Sequence, residues 1–169
     1  CMTDLSNAGV FTGKKLGFAP CTPQACMEIL DYYGIDCTGK RAVVIGRSPV
    51  VGRPAAMLLL ERNATVTVCH TRTQALSDVT READIIVSAA GAAGCLTAAH
   101  VRPGQTIIDV SANWDAAKNT IVGDADFDAA ASIVDAITPV PGGVGAVTSV
   151  VLMRHVVQAA ERTLEGGNL

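Results

Sequence analysis

Five short apolar runs, rich in β-branched residues, fall at residues 42–45, 64–69, 85–89, 106–110 and 132–137. Runs of that length with no polar alternation predict strands buried on both faces. Between the first two, residues 52–63 place Pro54 in an opening turn and Ala55, Met57, Leu58 and Leu59 along a helix. Residues 73–81 and 126–131 predict two further helices. Strand and helix alternating on this spacing imply a parallel sheet with right-handed crossovers, a Rossmann-like α/β fold flanked by helices.

Two helical patterns lie outside that unit. Residues 23–33 precede the first strand and stop at Gly34; residues 148–164 follow the last strand. The second pattern carries Val150, Val151, Val157, Ala160 and Leu164 on more than one face. A small sheet covers only one such face, so a further domain or subunit is expected against the outer helices. The expected boundaries are a leading segment at 1–20, a nucleotide-binding unit at 21–164 and a frayed end at 165–169.

The first strand runs into Gly46-Arg47-Ser48-Pro49-Val50-Val51-Gly52-Arg53-Pro54. A strand, a glycine-bounded turn and a helix in that order present backbone N–H groups and the positive helix end to a phosphate. Gly46 allows the tight turn, Ser48 offers a hydroxyl and its N–H, and Gly52 lets the helix pack closely on the strand. Arg47 and Arg53 suit a highly charged anion. The alternative is a turn of this shape that binds nothing.

A second position narrows the ligand. Readers of NAD place a carboxylate after the second strand to hold the ribose 2′-hydroxyl. Here that place reads Cys69-His70-Thr71-Arg72-Thr73, with hydroxyls and an arginine instead. Thr71, Arg72 and Arg47 would accept a 2′-phosphate that an aspartate would repel, so the residues favour NADP. A solvated arginine at the helix start is the alternative reading of Arg72.

Composition then excludes other classes. The formal net charge of −3 gives nucleic acid no electrostatic footing. No apolar run nears the roughly 20 residues of a membrane span, and no basic-then-apolar leader opens the chain. The six cysteines (Cys1, Cys21, Cys26, Cys37, Cys69 and Cys95) form no CxxC pair, and His70 lacks further ligands at metal spacing. Free thiols, no metal and a reducing cytoplasmic compartment are expected. His70, His100 and His155 are expected to be structural or solvated.

Three segments in order carry a resemblance: Pro20-Cys21-Thr22-Pro23, the turn 46–54, and Thr138-Pro139-Val140-Pro141-Gly142-Gly143-Val144-Gly145. They resemble the signature segments of the bifunctional 5,10-methylenetetrahydrofolate dehydrogenase/5,10-methenyltetrahydrofolate cyclohydrolase family. Val122-Gly123-Asp124 and residues 109–113 match less strongly, and the resemblance extends from about Asn7 to Leu164. It implies NADP-dependent oxidation of methylenetetrahydrofolate, then hydrolysis to 10-formyltetrahydrofolate, in the one-carbon metabolism that serves purine biosynthesis. Gly46, Arg47, Ser48 and Gly52 would meet the cofactor phosphates, Thr71 and Arg72 the 2′-phosphate region, and Ala112 the nicotinamide side. Pro141, Gly142, Gly143, Val144 and Gly145 would border folate and nicotinamide; prolines stiffen that loop while glycines let planar rings approach. A homodimer is implied by the resemblance alone.

The departures from the family pattern shape the expectation. Ser111-Ala112 replaces a glycine and a bulkier aliphatic residue, and Ala92-Ala93 replaces a more polar, proline-containing turn. The family's Tyr-x-x-x-Lys motif does not occur; Tyr32 and Tyr33 are followed four positions on by Asp36 and Cys37. No catalytic residue is therefore assigned, and the chain, which opens Cys1-Met2, is expected to derive from a longer parent whose N-terminal domain shares the tetrahydrofolate substrate. The alternative is a stand-alone NADP-binding module with a regulatory or partner-completed role. A different NADP dehydrogenase on the same fold would need its own lysine or histidine pocket, and Lys14, Lys15, Lys40 and Lys118 fall in turns or leading segments.

Overall fold

In a computed structural model that describes residues 1–164 and residue 166, seven strands and six helices follow the chain. The strands are β1 (Arg41–Ile45), β2 (Thr65–Cys69), β3 (Ile85–Ser88), β4 (Thr106–Asp109), β5 (Asn113–Asp115), β6 (Thr120–Val122) and β7 (Ala136–Ile137). The helices are α1 (Asp4–Thr12), α2 (Cys21–Tyr32), α3 (Gly52–Glu61), α4 (Leu76–Arg81), α5 (Phe127–Ala131) and α6 (Val144–Leu164). Five strands make one parallel sheet in the order β2-β1-β3-β4-β7. This is the Rossmann-like sheet that the apolar runs predict.

Strand alternation divides the core in two. Ala42, Val44, Ile85, Val87 and Ile108 pack with α2, α3 and α6 on one face. Val43, Ile45, Ile86 and Ile107 point the other way, toward Ala83, Leu96, Val101 and Ala130. Each fully buried aliphatic side chain contributes roughly 1.5–3 kcal/mol, so both faces of the central strands anchor the sheet. The outer surface of α6 finds no such cover: Val150, Leu152, Met153, Val156 and Val157 are exposed while Val144 and Val151 are buried.

Several predicted boundaries move, each for a local reason. The leading segment contains α1, which Thr3 caps by accepting from the Ser6 N–H at 3.2 Å and which Gly13 ends at φ 65°. Its apolar residues, Leu5, Ala8, Val10 and Phe11, do not gather on one face, so caps rather than periodicity announce it. The helix predicted from residue 73 starts at Leu76, because Ala75 is left-handed at φ 49° and the Thr73 hydroxyl accepts from the His70 N–H. The strand predicted at 132–137 keeps only Ala136–Ile137; the N–H groups of Ile133 and Val134 both turn back to the Ala130 carbonyl. The last helix starts at Val144, four residues earlier than its pattern suggests. The antiparallel hairpin of β5 and β6 was not legible in the apolar pattern. The frayed end expected at 165–169 lies, apart from Gly166, outside the described residues.

Candidate functional site

The chain reverses its direction across the sheet at β1. From β1 it crosses by α3 to β2 on one side, then returns by α4 on the opposite face to β3 on the other side. Such a switch point opens a crevice at the carboxyl ends of the strands. The register aligns Ile45 with both Cys69 and Ser88. Residues 46–52, 70–73 and 89–94 therefore share one rim.

The turn after β1 depends on its glycines. Gly46 has φ 113°, and a Cβ there would sit 2.2 Å from the Ala89 carbonyl oxygen. A Cβ on Gly52 would sit 2.1 Å from the Gly46 carbonyl oxygen. Both obstacles are backbone, which cannot swing aside. Ser48 has a role the sequence did not disclose: its Oγ accepts from the Val51 and Gly52 N–H groups at 3.1 and 3.4 Å, and its carbonyl accepts from the Arg53 N–H at 3.0 Å. The serine thus caps the start of α3, and its hydroxyl proton is the part left to donate. The N–H groups of Arg47, Ser48 and Val50 have no acceptor among the described residues. Donors for an anion come from the turn rather than from the first helical N–H groups.

Thr71 and Arg72 are exposed on the adjoining rim after β2. His70 fixes that turn: its Nδ1 accepts from the Arg72 N–H at 3.1 Å, and its carbonyl accepts from the Thr73 N–H at 2.8 Å. Arg47, Arg53 and Arg72 form no ion pair among the described residues. His100 caps the short turn Ala98–His100 through Thr97, and His155 stacks on Phe18 at 4.9 Å. All three histidines thus have structural contacts.

On the other side of the crevice stands a residue that the sequence analysis names only within Val122-Gly123-Asp124 and gives no role. Asp124 is wholly buried, and its carboxylate accepts five hydrogen bonds. Oδ2 takes the Ser88 hydroxyl at 2.9 Å, the Ala90 N–H at 2.7 Å and the Ser111 hydroxyl at 2.7 Å. Oδ1 takes the Ala92 N–H at 2.8 Å and the Asn113 amide at 3.1 Å. One side chain thereby ties the end of β3, the loop after it and the segment after β4. Ser111 also accepts from the Gly91 N–H at 3.1 Å, and Ala112 beside it is exposed. Asp109 lies next to this group; burial raises its pKa, against hydrogen bonds from the Ala125 and Asp124 backbone. The only sequence signal was the Gly123-Asp124 pair: a Cβ at 123 would strike the Asp109 carboxylate at 2.2 Å.

The proline-glycine segment runs from β7 to α6. Thr138 anchors it by accepting from the Asp109 N–H at 2.8 Å, and a Cβ on Gly143 would meet the Pro139 carbonyl oxygen at 2.3 Å. Pro141, Gly142 and Gly145 are exposed, but the Val144 side chain is 2% exposed and belongs to the core. Only its backbone is free to meet a ligand. Two concavities flank the segment: a groove of about 1380 Å³ that includes Tyr32, Tyr33, Gly142 and Gly143, and a hollow of about 370 Å³ that includes Asp109, Gly123 and Val140. Neither reaches Gly46 or Arg72, so the phosphate turn and the 141–145 segment remain separate parts of the rim.

Residues 20–164 match the family described as tetrahydrofolate dehydrogenase/cyclohydrolase, NAD(P)-binding domain. The chain belongs to this family. A relative in Carboxydothermus hydrogenoformans, the bifunctional protein FolD, is 57% identical over 159 residues, which cover 93% of this chain and 55% of that protein. The FolD methylenetetrahydrofolate dehydrogenase/cyclohydrolase of Campylobacter jejuni is 42% identical with a TM-score of 0.93, covering 96% of this chain and 57% of that one. The Trypanosoma brucei methylenetetrahydrofolate dehydrogenase-cyclohydrolase, solved with NADP cofactor and an inhibitor, is 35% identical with a TM-score of 0.90, covering 97% and 58%. This NAD(P)-binding domain spans about half the length of the curated relatives it matches. Among its described residues no helix is long and apolar enough to cross a membrane.

Proposed function

We propose that this chain is the NADP-holding domain of an enzyme that oxidises 5,10-methylenetetrahydrofolate to 5,10-methenyltetrahydrofolate and hydrolyses the product to 10-formyltetrahydrofolate. The observation that carries the reading is the turn at the switch point. It combines backbone-tight glycines at 46 and 52, free N–H groups at 47, 48 and 50, and unpaired arginines with no carboxylate on the adjoining rim. These residues fit a phosphorylated dinucleotide. NADP, when bound, supplies the hydride acceptor for the oxidation.

The chain's own residues bind and orient. Gly46, Arg47, Ser48 and Gly52 hold the pyrophosphate, while Thr71 and Arg72 hold the 2′-phosphate. Ala112 and the Asp124-tied loop flank the nicotinamide end, and Pro141–Gly145 border the folate. The proton transfers of the hydrolysis need a positioned acid or base. Those groups are assigned outside this chain, to an N-terminal portion of the kind the longer relatives have room for. The exposed apolar stripe of α6 supports a further domain or a second copy packing there, and the setting is the cytoplasm.

Calorimetric titration of the purified chain with NADP and with NAD tests the cofactor assignment. Arg72→Ala and Arg47→Ala each remove a charge-assisted contact worth roughly 1.5–3 kcal/mol. Arg72→Ala should weaken NADP about 10- to 100-fold while leaving NAD nearly unchanged, and Arg47→Ala, which also loses a pyrophosphate contact, should weaken both cofactors, NADP more than NAD. Equal losses for both cofactors would overturn the 2′-phosphate assignment. Mixing the chain with methylenetetrahydrofolate and NADP should give almost no methenyl product; a robust rate would place the catalytic groups within these 169 residues after all.

A further inference from the structure

Three reactive side chains meet away from the crevice. The Cys1 and Cys21 sulfurs lie 3.6 Å apart, and His155 Nδ1 lies 3.6 Å from the Cys21 sulfur. Both cysteines are half-buried, so neither is sealed from solutes. Cys21 opens the twelve-residue helix α2. His155 belongs to α6 and is held in place: its ring stacks on Phe18, and the Arg162 guanidinium covers the far ring at 4.2 Å. Burial, then the Arg154 charge, push the His155 pKa down, which leaves a neutral imidazole to take a proton.

No other two cysteine sulfurs are in contact among the described residues. Burial pushes Cys26 up to about 12 and Cys95 up to about 11, and it raises Cys37 and Cys69 as well.

We propose that Cys1 and Cys21 form a reversible disulfide by exchange with a small disulfide such as glutathione disulfide, with His155 as the base that activates Cys21. The Cys21 thiol gives its proton to His155 Nδ1, and the thiolate attacks one sulfur of glutathione disulfide. The S–S bond of glutathione breaks, one glutathione thiolate leaves, and a Cys21–glutathione bond forms. Cys1 then attacks the Cys21 sulfur as its thiolate, releasing the second glutathione. Two protein thiols are oxidised, one glutathione disulfide is reduced to two glutathione thiols, and the two protons pass to the departing thiolates. The two sulfurs need to approach by about 1.5 Å to reach bonding distance, within reach of side-chain rotation. The bond fastens the residue ahead of α1 to the first turn of α2.

The test incubates the full chain with glutathione disulfide and follows free thiols and peptide masses. The expected product has four free thiols, a Cys1–Cys21 cross-linked peptide, and full recovery on reduction with dithiothreitol. Cys1→Ser should stop the reaction at a Cys21–glutathione adduct, because no second thiol displaces it. Cys21→Ser should retain all its remaining thiols. His155→Asn should slow thiol loss at least about tenfold while the circular dichroism spectrum stays unchanged. A bond that involves Cys95, a wild-type chain arrested at the glutathione adduct, or no reaction would overturn the pairing. An unchanged rate in His155→Asn would overturn the role of the base.

Discussion

Replacing Asp124 by alanine strips the crevice of the group that orders its far wall. Five donors lose their acceptor: the Ser88 and Ser111 hydroxyls, the Ala90 and Ala92 N–H groups, and the Asn113 amide. A hydrogen bond to a charged group is worth roughly 1.5–3 kcal/mol, so simple addition would exceed the whole stability of many domains. Two effects reduce that sum. Removing the carboxylate relieves its own burial, and water can reach Ala90 and Ala92, which are exposed. Ser88 is wholly buried and gains no such replacement. The net loss expected is about 3–5 kcal/mol, the scale of breaking a buried charged network.

Asp124→Asn separates charge from shape. The amide has one acceptor oxygen, so it can serve the Ala90 N–H or the Ala92 N–H, but never both. One backbone donor then faces an NH₂ group, at a cost of about 1–3 kcal/mol. Urea unfolding followed by circular dichroism measures both variants, and calorimetry with NADP reports whether the loop after β3 still presents its backbone. The reasoning is refuted if Asp124→Ala loses less than about 1 kcal/mol, or if it binds NADP as wild type does once folded.

The remaining tests address the glycines and the surface ion pairs. Gly52→Ala drives a Cβ to within 2.1 Å of the Gly46 carbonyl oxygen, so it should cost at least about 3 kcal/mol and abolish cofactor binding in the folded fraction. Gly145→Ala meets no atom within 4 Å at ordinary φ and sits at the start of α6. Thermal melting should find it unchanged or up to about 1 kcal/mol more stable, and a large loss would contradict the open geometry of that position. The Arg154 guanidinium, hydrogen-bonded to Glu28 at 2.5 Å, holds the Glu28 carboxyl below its ordinary 4.5. A lowered folded pKa gives stability that is present above the unfolded value and lost as pH falls through the folded one. Urea midpoints should therefore drop further on acidification below about pH 4.5 in wild type than in Glu28→Gln; parallel curves would deny the pair any part in acid stability.

The inner strands were legible because they are buried on both faces, and burial on both faces writes an unbroken apolar run, as at residues 42–45 and 85–88. The edge strand β2, with Thr65, Thr67 and Val68 exposed, was legible instead from its β-branched residues. What escaped was structure held by single hydrogen bonds. The helix α1 rests on Thr3 and Gly13, and the late start of α4 rests on Thr73 serving the His70 turn instead of a helix cap. The geometry of the turn after β1 was legible because glycine spacing encodes close backbone approach. Asp124 was not, because one aspartate in a chain with sixteen acidic residues carries no pattern that distinguishes a buried acceptor from a solvated charge. Val144 illustrates a related point: a motif gives the path of the backbone, whereas burial decides which way the side chain points, here into the core.

The arginines make the same distinction visible in three dimensions. Arg41, Arg62, Arg102 and Arg154 each pair with a carboxylate, on Glu82, Asp31, Asp84 and Glu28 respectively. Arg162 covers Phe18 and donates to the Gly17 carbonyl. These five have structural occupations spread around the domain. Of the four that pair with nothing among the described residues, Arg81 ends α4, while Arg47, Arg53 and Arg72 stand on the two turns that rim the switch point. An exposed arginine is indifferent to having a partner, since a surface pair contributes little. Their concentration at one rim, beside free N–H groups and glycines that admit no side chain, therefore has no explanation in stability. A polyanion seated across both turns gives it one, and the selective loss of NADP affinity in Arg72→Ala is where that argument stands or falls.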